Sequence, residues 1–321
     1  MEKIADLHSH ALLNMTYLRK DLSKRHKPPL FWNPLRNHLD LPRLEAGGVK
    51  LSTFNIYVPF KFPYKSYQEG LHRMAEIFLE FIEKNSARIG HARSFAEIEA
   101  LNQKGRIAAV LAVEGGHILE GRLENLEYLK SLGVLYLTLT HFVDNEIVGA
   151  AWGSKQGLTD FGKELVKNLP AARILPDLAH TSTRGFYEVF EHYPGPVIFS
   201  HGGVRRFCDV DRNLSDDQIK LIAKSRGLVG IMLYPWYLKR FSFLGGPELI
   251  SDTYKHIETL IGPDRICLGT DLDGYIKTVR GVRDVANLPA LLEQIKKELG
   301  PERVSKLAGE NLYNFLKEIN F

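Results

Sequence analysis

The chain has few of the features that mark secreted or membrane-embedded proteins. Its 321 residues include only two cysteines, Cys208 and Cys267, which cannot form a disulfide framework, so we expect a reducing compartment. No apolar run approaches the roughly 20 residues that a membrane-spanning helix needs. The apolar segment at Ile4 closely follows Met1, so we expect no signal peptide. From these absences we expect a cytoplasmic protein that does not enter the membrane.

Long runs of like charge are also missing. The 42 Lys and Arg residues nearly balance the 38 Asp and Glu residues, and the net charge is +4. The densest basic stretch, residues 19–27, is interrupted by Asp21 and followed by two prolines, which is typical of a solvated loop. We therefore expect neither nucleic acid nor a membrane surface as a partner, and we predict a small-molecule substrate.

Apolar segments alternate with segments of helical periodicity along the whole chain, which predicts parallel βαβ units. Eight such units predict an α/β fold, the (β/α)8 TIM barrel, as one domain over residues 1–321. An open doubly wound sheet is the competing fold, but no GxGxxG follows any predicted strand. The predicted strands begin at Ile4 and span 51–58, 107–113, 134–140, 173–178, 196–200, 228–233 and 265–269.

The segment from His10 to about Pro42 is basic and proline-rich, and we predict that it is irregular. Such a long loop is often functional. We expect its 22–40 part, with Phe31 and Trp32, to cover the site or to form an oligomer contact.

Polar side chains recur where the predicted strands end, and the active site of a TIM barrel lies at this edge. The first strand runs into Asp6-Leu7-His8-Ser9-His10, in which strand alternation would place Asp6, His8 and His10 on one face. Two imidazoles at that spacing can bind one metal ion, and imidazole suits zinc. The other strand ends supply Glu114, His141, His180, His201, Tyr234 and Asp271.

This set of side chains predicts a centre with two metal ions and a bridging carboxylate. Glu114 is the best bridge because each of its oxygens can bind one ion, and a water between the ions would become acidic enough to give hydroxide. Asp271 could bind a metal, or accept the proton of that water and pass it to a leaving amine. We expect His8 and His10 to bind one ion and His180 and His201 the other.

Several longer motifs resemble those of the renal (membrane) dipeptidase family. They include DLAHTS at 177–182, PVIFSH at 196–201, DRNLSDD at 211–217, GTDLDG at 269–274 and the EGG that begins at Glu114. The resemblance runs in consistent order from Asp6 to about Leu316, which is nearly the whole chain. Motifs of this number and order are far more specific than HxH alone.

The resemblance implies a zinc-dependent dipeptidase of the amidohydrolase superfamily, with a TIM barrel, two zinc ions and a homodimer. It implies that Glu114 bridges the ions, that Asp271 transfers a proton, and that His141 polarises the scissile carbonyl. It also implies that Arg212 binds the carboxylate of the dipeptide, for which a planar guanidinium is well shaped, and that Tyr234 lies in the substrate pocket. The remaining metal ligands implied by the resemblance are His8, His180 and His201.

One position departs from the family pattern. The family has aspartate two residues after the first histidine, whereas this chain has His10. Because histidine is longer and neutral, we predict weaker occupancy of the first metal position or a different metal preference.

The departure at His10 keeps two other functions open. One is a different metal-dependent hydrolase of the superfamily, such as a phosphodiesterase, for which Arg205, Arg206 and Arg212 would bind phosphate. The other is a non-catalytic barrel that binds a metal or a partner. Retention of the other site residues argues against the latter.

Overall fold

The computed structural model of the chain describes residues 3–27 and 37–321, so Phe31 and Trp32 of the predicted lid lie outside the described residues. The described strands are β1 (Ile4–Asp6), β2 (Val49–Ile56), β3 (Ile89–His91), β4 (Ile107–Glu114), β5 (Tyr136–Thr138), β6 (Leu175–Asp177), β7 (Ile198–Gly202), β8 (Leu228–Ile231) and β9 (Ile266–Leu268). The α-helices are α1 (Ala11–Tyr17), α2 (Leu41–Ala46), α3 (Tyr67–Lys84), α4 (Phe95–Gln103), α5 (Leu126–Ser131), α6 (Asp160–Ala172), α7 (Thr183–His192), α8 (Asp216–Lys224), α9 (Pro235–Leu238), α10 (Pro247–Ile261), α11 (Leu288–Leu299), α12 (Pro301–Ser305) and α13 (Asn311–Glu318).

Eight of these strands form a parallel barrel. They are hydrogen-bonded in the order β1-β2-β4-β5-β6-β7-β8-β9, and each neighbouring pair is parallel. The backbone N–H of Leu7 donates to the carbonyl of Leu268 at 3.0 Å and links the last strand to the first. The predicted (β/α)8 barrel is therefore confirmed. That residues 1–321 act as one domain stays a prediction.

Side-chain alternation along β4 explains how the barrel presents Glu114. Ala108, Val110 and Ala112 belong to the apolar cluster inside the barrel. The residues between them pack instead in the layer between strands and helices. Because successive side chains point to opposite faces, Glu114 at the end of β4 continues the inward-facing series.

The structure corrects the predicted elements in two places. β3 was missed because three residues are too short for a periodic pattern; it pairs with the first residues of β4 outside the main strand order. The prediction that residues from His10 to about Pro42 are irregular was wrong for α1, which begins without a capping side chain or an acidic first turn. By contrast, the Ser215 side chain caps α8, and Gln218 completes the capping box.

The cysteines and the helices bear on the expected lack of disulfides and of membrane-spanning segments. Cys208 and Cys267 are both buried and unpaired. Within residues 3–27 and 37–321, none of the helices has the length and apolar character that crossing a bilayer would require.

Candidate metal centre

The polar residues that follow the strands meet in one cleft at the C-terminal end of the barrel. Glu114 is the last residue of β4, and His201 lies within β7. His141, His180 and Asp271 each lie three residues past the end of β5, β6 and β9. The cleft has a volume of about 1310 Å³. The predicted site residues that line it are His10, Glu114, His141, His180, His201, Arg212, Tyr234 and Asp271.

His8 and His10 reach the centre for a different reason from the one that the sequence indicated. β1 ends at Asp6 and the chain bends at Leu7, so strand alternation does not apply to the two histidines. The Asp6 carboxylate instead accepts the backbone N–H of Thr270 at 2.9 Å and its hydroxyl at 2.6 Å, which ties the end of β1 to β9. The Nε2 atoms of His8 and His10 still lie 3.1 Å apart.

An irregularity in β7 brings His201 into the cleft. Ile198 faces the barrel interior, so strict alternation would turn His201 outward. The register between β7 and β8 shifts between Phe199 and Gly202, which is how a strand re-aims a side chain. His201 thereby meets His180, with their Nε2 atoms 3.1 Å apart.

The Glu114 carboxylate lies between these two pairs of histidines. Its Oε2 atom is 3.0 Å from Nε2 of His10. Its Oε1 atom is 3.2 Å from Nε2 of His180, 3.7 Å from that of His201 and 3.6 Å from that of His8. One carboxylate oxygen therefore faces His10, while the other faces the His180 and His201 pair.

The donor atoms of this cluster fit divalent cations. Two ligands of one tetrahedral ion, each about 2.1 Å from it, lie roughly 3.4 Å apart, which matches these separations. Among the described residues, neither oxygen of Glu114 has a partner in hydrogen-bond geometry, although the carboxylate is buried. A buried carboxylate without donors is costly unless a cation compensates it. Three groups with convergent ligand atoms are His8, His10 and Glu114; His8, His201 and Asp271; and Glu114, His141 and His180.

Hydrogen bonds behind His8 fix the ring tautomer that a metal ligand needs. The Nδ1 atom of His8 is 2.9 Å from the Tyr136 hydroxyl, which also lies 2.9 Å from the Leu7 carbonyl and 3.0 Å from Oδ1 of Asn55. The Leu7 carbonyl and Asn55 Oδ1 can only accept, so the Tyr136 hydroxyl directs its single proton towards them. The hydroxyl oxygen therefore accepts a hydrogen bond from Nδ1–H of His8. The Nε2 atom of His8 therefore presents its lone pair to the cleft.

His201 is oriented in the same way by a second relay. The Ser200 hydroxyl donates to the Asp177 carboxylate at 2.6 Å and so accepts from Nδ1–H of His201 at 2.8 Å. Sequence reasoning missed Tyr136, Asn55, Ser200 and Asp177. Only the last two had a local signal, because Ser200 directly precedes His201 and Asp177 begins the DLAHTS motif.

Burial determines the protonation state of three histidines at the centre. It lowers the pKa of His8, His180 and His201 well below 6.5, so their rings are neutral and able to bind a cation. Burial alone would raise the pKa of Glu114, but the neighbouring His141 and His10 outweigh it and hold that pKa well below 4.5. The centre thus combines three neutral imidazoles, those of His8, His180 and His201, with an ionised carboxylate.

The remaining groups at the centre respond differently to the same burial. Burial raises the pKa of Asp271 to about 7 and lowers the pKa of His141 to about 4. It would also lower the pKa of His10, but the carboxylates of Glu114 and Asp271 outweigh it and raise that pKa above 6.5. Asp271 can therefore gain or lose a proton near neutral pH, whereas His141 stays uncharged there.

Two of the site residues have strained backbones. His180 has φ 65° and Asp271 has φ 58°, in the left-handed region that costs a non-glycine residue about 1–2 kcal/mol. The loop after β9 is held by Asp273, whose carboxylate accepts the backbone N–H of His38 at 2.5 Å and that of Leu39 at 3.3 Å. These bonds compensate the strain and fix Asp271 over the cleft.

Arg212 adds one buried cation to the cleft. Its Nη2 atom lies 3.2 Å from Nε2 of His180, and its guanidinium carbon is 5.4 Å from the Phe199 ring centre. Within the described part of the chain, Nε and Nη1 of Arg212 have no hydrogen-bond partner although they are buried. Unpaired guanidinium nitrogens that line a cleft are suited to an anionic group of a ligand. Tyr234 lies half-buried on the same cleft.

Two relatives of known name share most of this chain. Dipeptidase tcpJ of Claviceps purpurea is 26% identical over 297 residues, which cover 89% of this chain and 70% of that protein. Dipeptidase 3 of Rattus norvegicus is 28% identical over 295 residues, which cover 89% of this chain and 59% of that protein. The chain therefore spans less than two thirds of the rat protein.

The solved structures and the family comparison agree with these relatives. A metallopeptidase from Rhodobacter sphaeroides, solved with a phosphinate mimic of the dipeptide L-Ala-D-Ala, has a TM-score of 0.89 and 25% identity, covering 100% of this chain and 99% of that one. The metallopeptidase named dipeptidase AC has a TM-score of 0.87 and 25% identity, with 99% of each chain covered. The sequence pattern of the membrane dipeptidase family, peptidase family M19, matches residues 2–321. The resemblance seen in the sequence motifs is thus confirmed, and the chain belongs to the membrane dipeptidase family.

Proposed function

We propose that this protein is a zinc-dependent dipeptidase that holds two zinc ions in the cleft. The observation that carries the proposal is the buried Glu114 carboxylate, which lacks hydrogen-bond partners among the described residues and lies between two pairs of histidines. Membership of the membrane dipeptidase family supports the reaction class.

The ligands divide into two sets that share Glu114. His8 and His10 would hold one ion, and His180 and His201 would hold the other. Bound zinc supplies Lewis acidity and lowers the pKa of water towards ~7, so that hydroxide is available near neutral pH. The relays through Tyr136 and through Ser200 keep His8 and His201 in the tautomer that a metal ligand requires.

Arg212 would fix the substrate by its terminal carboxylate. The guanidinium is buried, keeps two unpartnered nitrogens and lines the cleft next to His180. A carboxylate bound to one edge of the guanidinium, through Nη2 together with Nη1 or Nε, would satisfy one of those nitrogens and set the position of the peptide bond over the centre. Tyr234 would contact the substrate from the neighbouring wall.

His141 and Asp271 would act on the peptide bond itself. His141 is neutral near pH 7 because burial lowers its pKa to about 4, so one ring N–H can donate to the carbonyl oxygen and stabilise negative charge there. Burial raises the pKa of Asp271 to about 7, which suits a group that accepts a proton from water and passes it to the leaving amine. His141 would therefore stabilise the oxyanion, and Asp271 would protonate the leaving amine.

A phosphodiesterase is less well supported by the arginines that would favour it. Arg205 does not line the cleft, since it donates to Asp211 and Thr183 at 2.9 Å. Arg206 is exposed and also lies outside the cleft lining, so only Arg212 of the three is available there. The homodimer implied by the family and the cytoplasmic location implied by the composition stay predictions.

Metal analysis and a dipeptide panel on the same preparation test the proposal. We expect two zinc ions per chain and release of both amino acids from several dipeptides, with no hydrolysis of phosphodiesters. A Glu114→Gln variant should lose zinc and turnover together. No turnover of any dipeptide by fully zinc-loaded protein would refute the proposed function.

A further inference from the structure

The wall of the cleft beside Arg212 is apolar. The Tyr237 ring centre lies 5.9 Å from the guanidinium carbon of Arg212, and Tyr237 contacts Tyr234 with the ring centres 5.3 Å apart. Further along the same wall, Phe243 and Leu244 line the cleft, although 51% and 67% of their surfaces are exposed. Large apolar side chains that face solvent inside a cleft are typical of a ligand-binding surface.

This wall is held in place by its own contacts. The Trp236 ring packs against Phe243 with the ring centres 4.9 Å apart. The backbone N–H of Arg280 donates to the Gly245 carbonyl at 2.8 Å, which joins this loop to the loop that follows β9. Phe243 and Leu244 are thus presented to the cleft by residues anchored on both sides.

The charges of the same loop point away from the cleft. Lys239 and Arg240 are exposed and do not belong to the cleft lining, whereas Met232 and Val279 extend its apolar surface. A substrate side chain beside Tyr237, Phe243 and Leu244 therefore meets hydrocarbon and aromatic rings. The other cations of the cleft lining are Lys277, Arg280 and Arg283, so a cationic side chain would lose hydration there and meet like charges.

We propose that the preferred substrates are dipeptides whose carboxyl-terminal residue has a bulky apolar side chain. Arg212 would hold the terminal carboxylate while that side chain packs on Phe243 and Leu244. This specificity rests on the proposed dipeptidase function and goes beyond it, because it assigns the class of one residue of the substrate.

The test compares pairs of dipeptides that differ only at the carboxyl end. On zinc-loaded protein, kcat/KM for Ala-Phe should exceed that for Ala-Gly and Ala-Lys by about tenfold, the lower end of what an apolar pocket provides. The double variant F243A/L244A should reduce the ratio of Ala-Phe to Ala-Gly by about tenfold. Phe62→Ala is the matched control, since Phe62 is 81% exposed and lies outside the cleft lining.

The outcomes separate this specificity from the function on which it rests. Equal kcat/KM for Ala-Phe and Ala-Gly, or an unchanged ratio in F243A/L244A, would overturn the specificity and leave the dipeptidase function standing. A ratio that falls equally in Phe62→Ala would also overturn it. Failure to hydrolyse any dipeptide would overturn both. A melting temperature equal to that of the wild type shows that the exposed substitutions leave the fold intact.

Discussion

Replacing His10 by aspartate should strengthen zinc binding and lower the stability of the metal-free protein. The Nε2 atom of His10 lies 3.0 Å from Glu114 Oε2 and 3.6 Å from Asp271 Oδ1, in a fully buried position. The wild-type centre therefore offers two carboxylates to two doubly charged ions. His10→Asp adds a third negative charge at the same place.

The Coulomb interaction at such short distances sets the scale of the effect. Two unit charges 4 Å apart interact by about 4 kcal/mol at an effective dielectric constant of about 20. In the metal-free variant this interaction is repulsion between the introduced carboxylate and the two native carboxylates, whereas bound zinc turns it into attraction. After the loss of an imidazole ligand and the shorter reach of aspartate, we expect a net gain of about 1.4 kcal/mol, a roughly tenfold lower Kd.

Competition with a coloured zinc chelator measures this Kd, and elemental analysis after dialysis measures the stoichiometry. His10→Asn is the matched control because asparagine has the shape of aspartate without its charge. We expect zinc affinity to decrease from His10→Asp through wild type to His10→Asn, and the metal-free melting temperature of His10→Asp to be the lowest. Equal zinc affinity of the two variants would refute the charge argument.

Three further changes test other parts of the structure. Asp271→Asn should reduce kcat about a hundredfold or more, because it removes the group that transfers the proton, while elemental analysis should find the zinc content retained. Arg212→Lys should raise KM for dipeptides roughly tenfold to hundredfold, as measured by steady-state kinetics, because a lysine loses the bidentate contact with the carboxylate; dipeptide amides should show no such change. Burial lowers the pKa of His91 to about 4 from 6.5, so the unfolded chain binds its proton first, and the stability that depends on neutral His91 is complete above pH 6.5 and is lost as the pH falls towards 4. His91→Leu should flatten the decline of melting temperature over that window, and an identical decline in both proteins would contradict this explanation.

The barrel could be predicted from the sequence because its strands are continuous apolar runs. The run at 107–113 is long enough to identify a strand buried on both faces, and the structure extends it by only one residue, to Glu114. β3 and α1 could not be predicted, because three residues carry no period and a helix without a cap has no start signal. Both elements exist through packing against the barrel rather than through local sequence preference.

The site followed from the fold rather than from the spacing of single motifs. His8 and His10 lie together at the centre, but not through the strand alternation that the HxH motif suggested, since the chain leaves β1 at Asp6 before it reaches His8. The relays through Tyr136 and Ser200 could not be predicted because they join residues from different strands, and only the closed barrel brings His8 and Tyr136 together.

The strained backbone at His180 and Asp271 indicates that this centre was built at some cost to stability. Each left-handed residue costs about 1–2 kcal/mol, and neither is a glycine that would adopt the conformation freely. The carboxylates that compensate, Asp6 and Asp273, both bind backbone N–H groups of segments distant in sequence. The polar network around the cleft thus has two effects. Asp6 joins β1 to the segment that follows β9, and Asp273 joins the loop that carries Asp271 to His38 and Leu39. A substitution such as Asp273→Asn would therefore be expected to change activity through the position of Asp271, without any contact to the substrate.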